Sequence, residues 1–433
     1  MIEIIHSREK TRLADKLRRI GERNVAFDAE LMLQVSAIIH DVRTRGDAAL
    51  IDYTKRFDGC TVERSDLRVS ESTLANIAAR VDADVRDALR EAIRRVRLFH
   101  EFERQHSWEV ETPDGVRFGQ RITAIERAGL YVPGGTASYP SSVVMNVVPA
   151  QVAGVSRIVV ATPPRTLQEN PAVAAAIVEL GVTEVYAVGG AQAIAALAFG
   201  TEIVPRVDKI TGPGNRYVAA AKKLVFGVVG IDSIAGPTEV VVIADDTARA
   251  SYIASDLLAQ SEHSEDASAV LVTTSRNLAA EVVTELTNQA QALPRFGVIE
   301  GSLARYGAII VVDDLDEACA LVNELGPEHL EIVCRDEERI AAQVRHAGAI
   351  FFGDQTPEAT GDYLAGPNHV LPTSGAARFS SALGVYDFLK RTTILKFSSS
   401  ALRHTAPMIA TLARAEGLEA HARSALIRLE GGN

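Results

Sequence analysis

The chain has 433 residues, 47% of them apolar and 23% charged, the balance of a globular protein of two or three domains with ample core and no long disordered span. A net charge of -11 and a pI near 5.5 exclude the dense basic face that non-specific binding to nucleic acid requires. Three cysteines, Cys60, Cys319 and Cys334, are an odd number without C-x-x-C spacing, which excludes a disulfide framework and a thiolate zinc site, and no apolar run reaches signal-peptide or membrane-spanning length. The expectation is a soluble, cytoplasmic protein with no membrane and no nucleic-acid partner.

In chain order, a short charged helix is expected from Thr11 to Arg19, and a second from Asp28 with Leu31, Leu33, Val35, Ile38 and Val42 on its apolar side. Apolar residues then recur at helical spacing from Asp84 to Phe102, behind a cap at Asp82 or Asp84. The stretch AGLYVPGGTASYPSSVVMNVVPAQVAG, with its glycines and prolines, reads as a domain boundary followed by a loop-rich functional region. From Arg157 to Val225 strands and helices alternate: IVVATPP, Ala172 to Leu180, EVYAVGG, Ala191 to Phe199, KITGPG, Tyr217 to Val225. The alternation resumes after Gly236 with EVVVIAD and runs to AIFFGD, so two parallel α/β units joined by right-handed crossovers are expected. A Gly-, Pro-, Ser- and Thr-rich connection from Gly353 to Leu383 is of the length that usually carries function, and the remainder is expected to be helical.

Several groups along this framework carry chemistry. In GPEHLE a Gly-Pro pair ends the helical pattern Leu315 to Leu325 and sets Glu328 and His329 between a helix and a short strand. Either residue can exchange a proton near neutral pH once its surroundings tune it, although such dipeptides are also common on solvated surfaces. No G-x-G-x-x-G follows a strand; the substitutes are VGGAQ (Val188 to Gln192) and TGPGN (Thr211 to Asn215), which are equally compatible with phosphate-binding turns and with plain tight turns. Tyr131 and Pro133 would add an aromatic wall. Gln260 and His263 share a helix face three residues apart, Asp362 sits between glycine-rich segments in the long connection with His369 close by, and His421 lies on a late helix. As nitrogen and oxygen donors these would suit zinc, and also manganese or cobalt; as bland residues, a His at a helix end simply favours the dipole.

GPEHLE, the run from Asp256 to His263, GDYLAGPNHVLPT, EGLEAHA, AGLYVPGG and GPGN together resemble the histidinol dehydrogenase family, over nearly the whole chain. The resemblance implies Glu328 and His329 as the acid/base pair, Gln260, His263, Asp362 and His421 as ligands of one zinc ion per subunit, and Tyr131, Gln192 and Asn215 as NAD contacts. Thr238, where some relatives carry Ser, and Glu416 would join His329 and the metal ligands around the substrate. The implied fold is α/β: two Rossmann-like parallel-sheet units without the usual glycine fingerprint, plus helical N- and C-terminal extensions. The corresponding segments would be 1–24, a discontinuous first domain 25–118 and 239–377, an NAD-contacting domain 119–238, and a tail 378–433. The implied activity is four-electron oxidation of L-histidinol through L-histidinaldehyde to L-histidine, the last steps of histidine biosynthesis, in a homodimer whose tails complete each other's sites. A zinc- and NAD-dependent relative acting on another small alcohol is the alternative; the carboxylate of Glu416 suits a cationic amino alcohol and would repel an anion.

Overall fold

The computed structural model describes residues 2–23, 27–134 and 139–430. They divide into two compact units, Met1–Glu103 with Glu126–Phe388, and Arg104–Ile125 with Leu389–Asn433.

The larger unit is built on two parallel sheets. One has six strands in the order Glu3–His6, Ala308–Val311, Ser268–Thr273, Glu239–Ala244, His329–Val333, Ala349–Phe352. Its central strands are near-continuous runs of Val, Ile, Leu and Ala and are buried along their whole length, as a sheet covered on both faces demands. The other has five strands in the order Glu184–Ala187, Arg157–Thr162, Arg127–Tyr131, Lys209–Thr211, Gly230–Ile231. The two expected α/β units are therefore present. The helix Ala29–Arg45 starts where the Asp28 carboxylate accepts the Leu31 N–H at 2.7 Å, and its apolar face packs with the second of these sheets and the helices on it.

The stretch expected to be loop-rich is instead regular: Arg127–Tyr131 is the central strand of the five-stranded sheet, and Pro140–Ala153 is a helix buried nearly throughout. Proline at the first helical position costs no hydrogen bond, and the apolar surroundings tolerate Pro149 within it. Gly135 to Ser138 of that stretch lie outside the described residues. The strand Glu3–His6, at the edge of the six-stranded sheet, and the helix Phe296–Tyr306 were likewise not legible as periodic segments.

The smaller unit holds a three-stranded antiparallel sheet, Leu389–Phe397, Val116–Ala124 and Trp108–Glu111, and two helices, Ser399–Ala415 and Glu419–Glu430, that pack through Ala410, Ala413 and Ala422. The tail is thus helical from Ser399 onward, after a nine-residue strand. Among the described residues no helix is long and apolar enough to cross a membrane.

Candidate active site

Local rules place the acid/base pair. Asp314 caps the helix Leu315–Leu325 by accepting the Glu317 N–H at 2.8 Å, and Gly326 ends it in the left-handed conformation (φ 59°) that a side chain would disfavour. Pro327 prevents further helix, Glu328 forms a bend, and His329 opens an interior strand of the six-stranded sheet, opposite Val240 and Ala349. Gly348 is required beside it, because a Cβ there would lie 2.6 Å from the Glu328 carbonyl oxygen.

The amino ends of the strands Glu239–Ala244 and His329–Val333 thus carry Thr238, Glu328 and His329 together. The helix Ala250–Ser261 returns antiparallel to the strand before it and brings Gln260 back to the same edge. Glu358 and Asp362 stand one turn apart on the helix Glu358–Tyr363, on one face. Donor atoms of His329, Glu358 and Asp362 lie within 4.8 Å of one another.

Within this cluster the Glu328 carboxylate accepts from Thr238 Oγ1 at 2.6 Å and from Glu239 N at 3.0 Å. Burial nevertheless dominates and pushes its carboxyl up to about 8, with the neighbouring Glu239 and Asp362 charges adding to the rise. His329 Nδ1 lies 3.1 Å from the carbonyl oxygen of Glu239. A carbonyl can only accept, so Nδ1 carries the proton and Nε2 keeps its lone pair; Nε2 is buried without a partner among the described residues. Burial pulls the imidazole down to about 4, against the opposing pull of Asp362. One cause therefore holds the acid protonated and the imidazole neutral around neutral pH.

The Gln260 amide is held between Thr238 Oγ1, 2.6 Å away, and the carboxylate of Glu358. With its nitrogen turned toward Glu358 it donates to Oε2 at 2.9 Å while its oxygen accepts from Glu239 N at 2.7 Å. His263 follows the end of its helix, with a buried Nδ1 that has no partner among the described residues, and the Nε2 of His369 is in the same state. Three buried imidazole nitrogens without partners, beside carboxylates of opposite preference, are costly unless something binds them. The donors are nitrogen and oxygen without thiolate, a set that fits zinc. Glu416 and His421 lie on the smaller unit, both exposed, at the end of one helix and the start of the next.

Glu358 is the residue that motif reading passed over. It is 2% exposed, its carboxyl is driven well above the usual range by burial first and by Asp362, Glu331 and Glu328 next, and its Oε1 sits 3.5 Å from His329 Nδ1. Its spacing of four from Asp362 was the available signal.

A second feature occupies the carboxyl ends of the five-stranded sheet, where ligands of open parallel sheets usually lie. A cleft of about 1010 Å³ there is lined by Tyr131, Gln192 and Asn215 among others, so the three expected NAD contacts share one site. The Tyr131 hydroxyl accepts the Gly190 N–H at 3.0 Å and fixes the turn into the helix Gly190–Phe199. Gln192 is 1% exposed, yet among the described residues neither atom of its amide has a partner. Asn215 caps the helix Arg216–Val225 through Oδ1, accepting from Tyr217 N and Val218 N. A buried amide without a partner among the described residues, on a residue that lines a cleft of this size, fits a polar cofactor.

The chain matches the histidinol dehydrogenase family model over residues 22–429. It is 51% identical over 425 residues to histidinol dehydrogenase of Geobacillus kaustophilus (strain HTA426), covering 98% of this chain and 99% of the relative. Identity to the histidinol dehydrogenase of Chromobacterium violaceum (strain ATCC 12472) is 49% over 420 residues, 97% of each chain. Among solved structures, histidinol dehydrogenase from Elizabethkingia anophelis matches with a TM-score of 0.90 at 36% identity, covering 96% of both chains.

Proposed function

The chain belongs to the histidinol dehydrogenase family, an NAD-dependent oxidoreductase family of histidine biosynthesis, and from that premise we propose that it oxidises L-histidinol through L-histidinaldehyde to L-histidine with a zinc ion and two NAD in turn. The observation that carries this reading is the divergence of Glu328 and His329, held in opposite protonation preference by shared burial.

Gln260, His263 and Asp362 would hold the zinc together with His421 of the partner subunit, and Tyr131, Gln192 and Asn215 would hold NAD. When bound, zinc orients the imidazole and amine of the substrate and NAD accepts hydride from the carbinol carbon. His329 Nε2, with its lone pair free, takes the hydroxyl proton as the carbinol carbon loses hydride. In the second half-reaction the carboxylate form of Glu328, which predominates above about pH 8, takes a proton from water, whose oxygen bonds to the aldehyde carbon; the hydrate then loses the second hydride. Thr238 holds the Glu328 carboxylate in place through its 2.6 Å hydrogen bond, and Glu416 would meet the cationic amine.

Cysteine chemistry of the thiohemiacetal kind finds no support. The Cys334 thiol is pushed up to about 12 by burial and donates to the Ile243 carbonyl, and that of Cys319 is raised as well and faces Ile340 O. Thorough demetallation should abolish turnover while leaving the thermal transition cooperative, and one zinc per subunit, counted by elemental analysis, should restore it. A demetallated protein oxidising histidinol at the original rate would refute the zinc assignment. His263→Ala and Asp362→Ala should behave as the metal-free protein does.

A further inference from the structure

The strand Glu239–Ala244 begins with a residue whose backbone serves the acid/base pair. Alternate residues of a parallel strand address opposite neighbours. Thr238 O accepts the Ser268 N–H at 3.1 Å on one side, so Glu239 turns its own backbone groups to the other, where the strand of His329 is only beginning. There its N–H donates to the Glu328 carboxylate at 3.0 Å and its carbonyl accepts from His329 Nδ1 at 3.1 Å. The position of this one segment therefore sets where Glu328 and His329 stand.

The segment is anchored by a buried cation that the proposed chemistry does not use. Arg23 lies just beyond the helix Lys10–Gly21, with a side chain 1% exposed, and all three of its guanidinium nitrogens are engaged. Nε donates to Ile20 O at 2.9 Å, Nη1 to Asp266 O at 2.8 Å and to Thr238 O at 3.2 Å, and Nη2 to the Glu239 carboxylate at 2.5 Å. The other Glu239 carboxylate oxygen accepts the Ser374 N–H at 3.0 Å. Burial pushes the Glu239 carboxyl up, and Arg23 is the chief opposing influence. The guanidinium fork thus grips Glu239 by its side chain and by the carbonyl just before it, while the N–H and C=O of Glu239 hold the pair. We propose that Arg23 is a positioning residue, acting through Thr238 and Glu239 to hold the Glu328 carboxyl and the His329 imidazole where they react. The inference rests on the reading of Glu328 and His329 as the acid/base pair. Lysine, a point charge without the planar fork, cannot serve two carbonyls and a carboxylate together in the same geometry.

Half-reaction rates per zinc-loaded subunit, with zinc counted by elemental analysis, and calorimetric binding of NAD test this together. Arg23→Lys should lower kcat for alcohol and for aldehyde oxidation by about 10-fold and Arg23→Met by about 10²-fold, the cost of misplacing reacting groups, with NAD affinity unchanged. Glu239→Gln weakens the same grip from the other side, so combining it with Arg23→Met should cost no more than Arg23→Met alone. Nitrogen spectra of histidine-labelled, zinc-loaded protein give a readout that loss of stability alone would not move. The His329 imidazole, assigned by its loss in His329→Ala, should carry its proton on Nδ1 in the parent and divide it between both nitrogens in Arg23→Lys and Arg23→Met. A lower melting temperature with unchanged kcat in Arg23→Lys would make Arg23 a structural strut and overturn the proposal. An unchanged His329 tautomer in both variants, or an NAD affinity that falls as far as kcat, would overturn it as well. If Arg23→Met does not fold, Arg23→Lys decides by the same readouts. Should the parent itself not oxidise histidinol, the reading of the function falls, and the His329 spectra alone decide the role of Arg23.

Discussion

At the scale of single residues, the site is a collection of acids that burial keeps protonated, and the consequences reach both rate and stability. Glu328→Gln should lower aldehyde oxidation by about 10²- to 10⁴-fold, the worth of general-base help, and spare alcohol oxidation, because only the former needs an activated water. The half-reactions are assayed separately with aldehyde and alcohol, and equal losses in both would reject the role given to Glu328. His329→Ala should depress both. Behind the site, Glu331 and Asp256 form a hydrogen-bonded acid pair; burial pushes Asp256 up to about 6 and Glu331 well above its usual range. An acid whose folded pKa is raised binds its proton more tightly when folded. Its contribution is fully present below the unfolded value and is lost as pH rises through the folded one, here from near 3.8 through about 6 for Asp256. Glu331→Gln keeps the donor to Asp256 and an acceptor for the Glu358 N–H, which now reaches Glu331 Oε1 at 2.8 Å, and removes the ionisable proton. Thermal melts across pH should show this variant melting at a higher temperature than the parent at pH 8, the difference shrinking toward pH 4. A pH-independent difference would show that Glu331 stays ionised in the fold.

At the scale of elements, the turn after the strand Lys209–Thr211 is held by a buried ion pair. Asp232 pairs with Lys222 and accepts the Gly212 N–H at 2.8 Å, while Lys222 Nζ donates to Gly212 O at 3.0 Å, so both backbone groups of one glycine are gripped three residues before Asn215. Gly212 has φ 113°, and a Cβ there would overlap the backbone of Tyr131. Asp232→Asn should therefore raise KM for NAD by about 10-fold with little change in kcat, since one charge-assisted hydrogen bond is lost and no reacting atom is touched. Lower melting temperature with unchanged KM would make the pair a purely structural one. The strand and helix alternation around this turn was legible because buried parallel strands and amphipathic helices differ in period and length. The strand Arg127–Tyr131 and helix Pro140–Ala153 were not, since a helix buried on nearly every face has little polar stripe and its prolines imitate a loop. Asp362 could be read from its motif, but its neighbour Glu358 could not be weighted, because a carboxylate four residues away is most often just a solvated helix face.

At the scale of the whole molecule, Glu416 and His421 are exposed on the smaller unit, in its segment beyond the long connection, which motif reading could name but not place. We propose that they complete the site of a second copy in a two-fold dimer. Mixing His329→Ala with His421→Ala and letting subunits exchange gives mixed dimers in which one site carries both lesions and the other neither. Half the dimers are mixed and half their sites are intact, so roughly a quarter of the parent activity should return. No recovery, with exchange verified by mass spectrometry, would refute the shared site and leave the acid/base pair untouched. The four-electron oxidation is read in the product stoichiometry. With limiting L-histidinol and excess NAD, the zinc-loaded protein should form two NADH and one L-histidine for each histidinol consumed. Formation of one NADH with accumulation of free aldehyde, or of none, would contradict it.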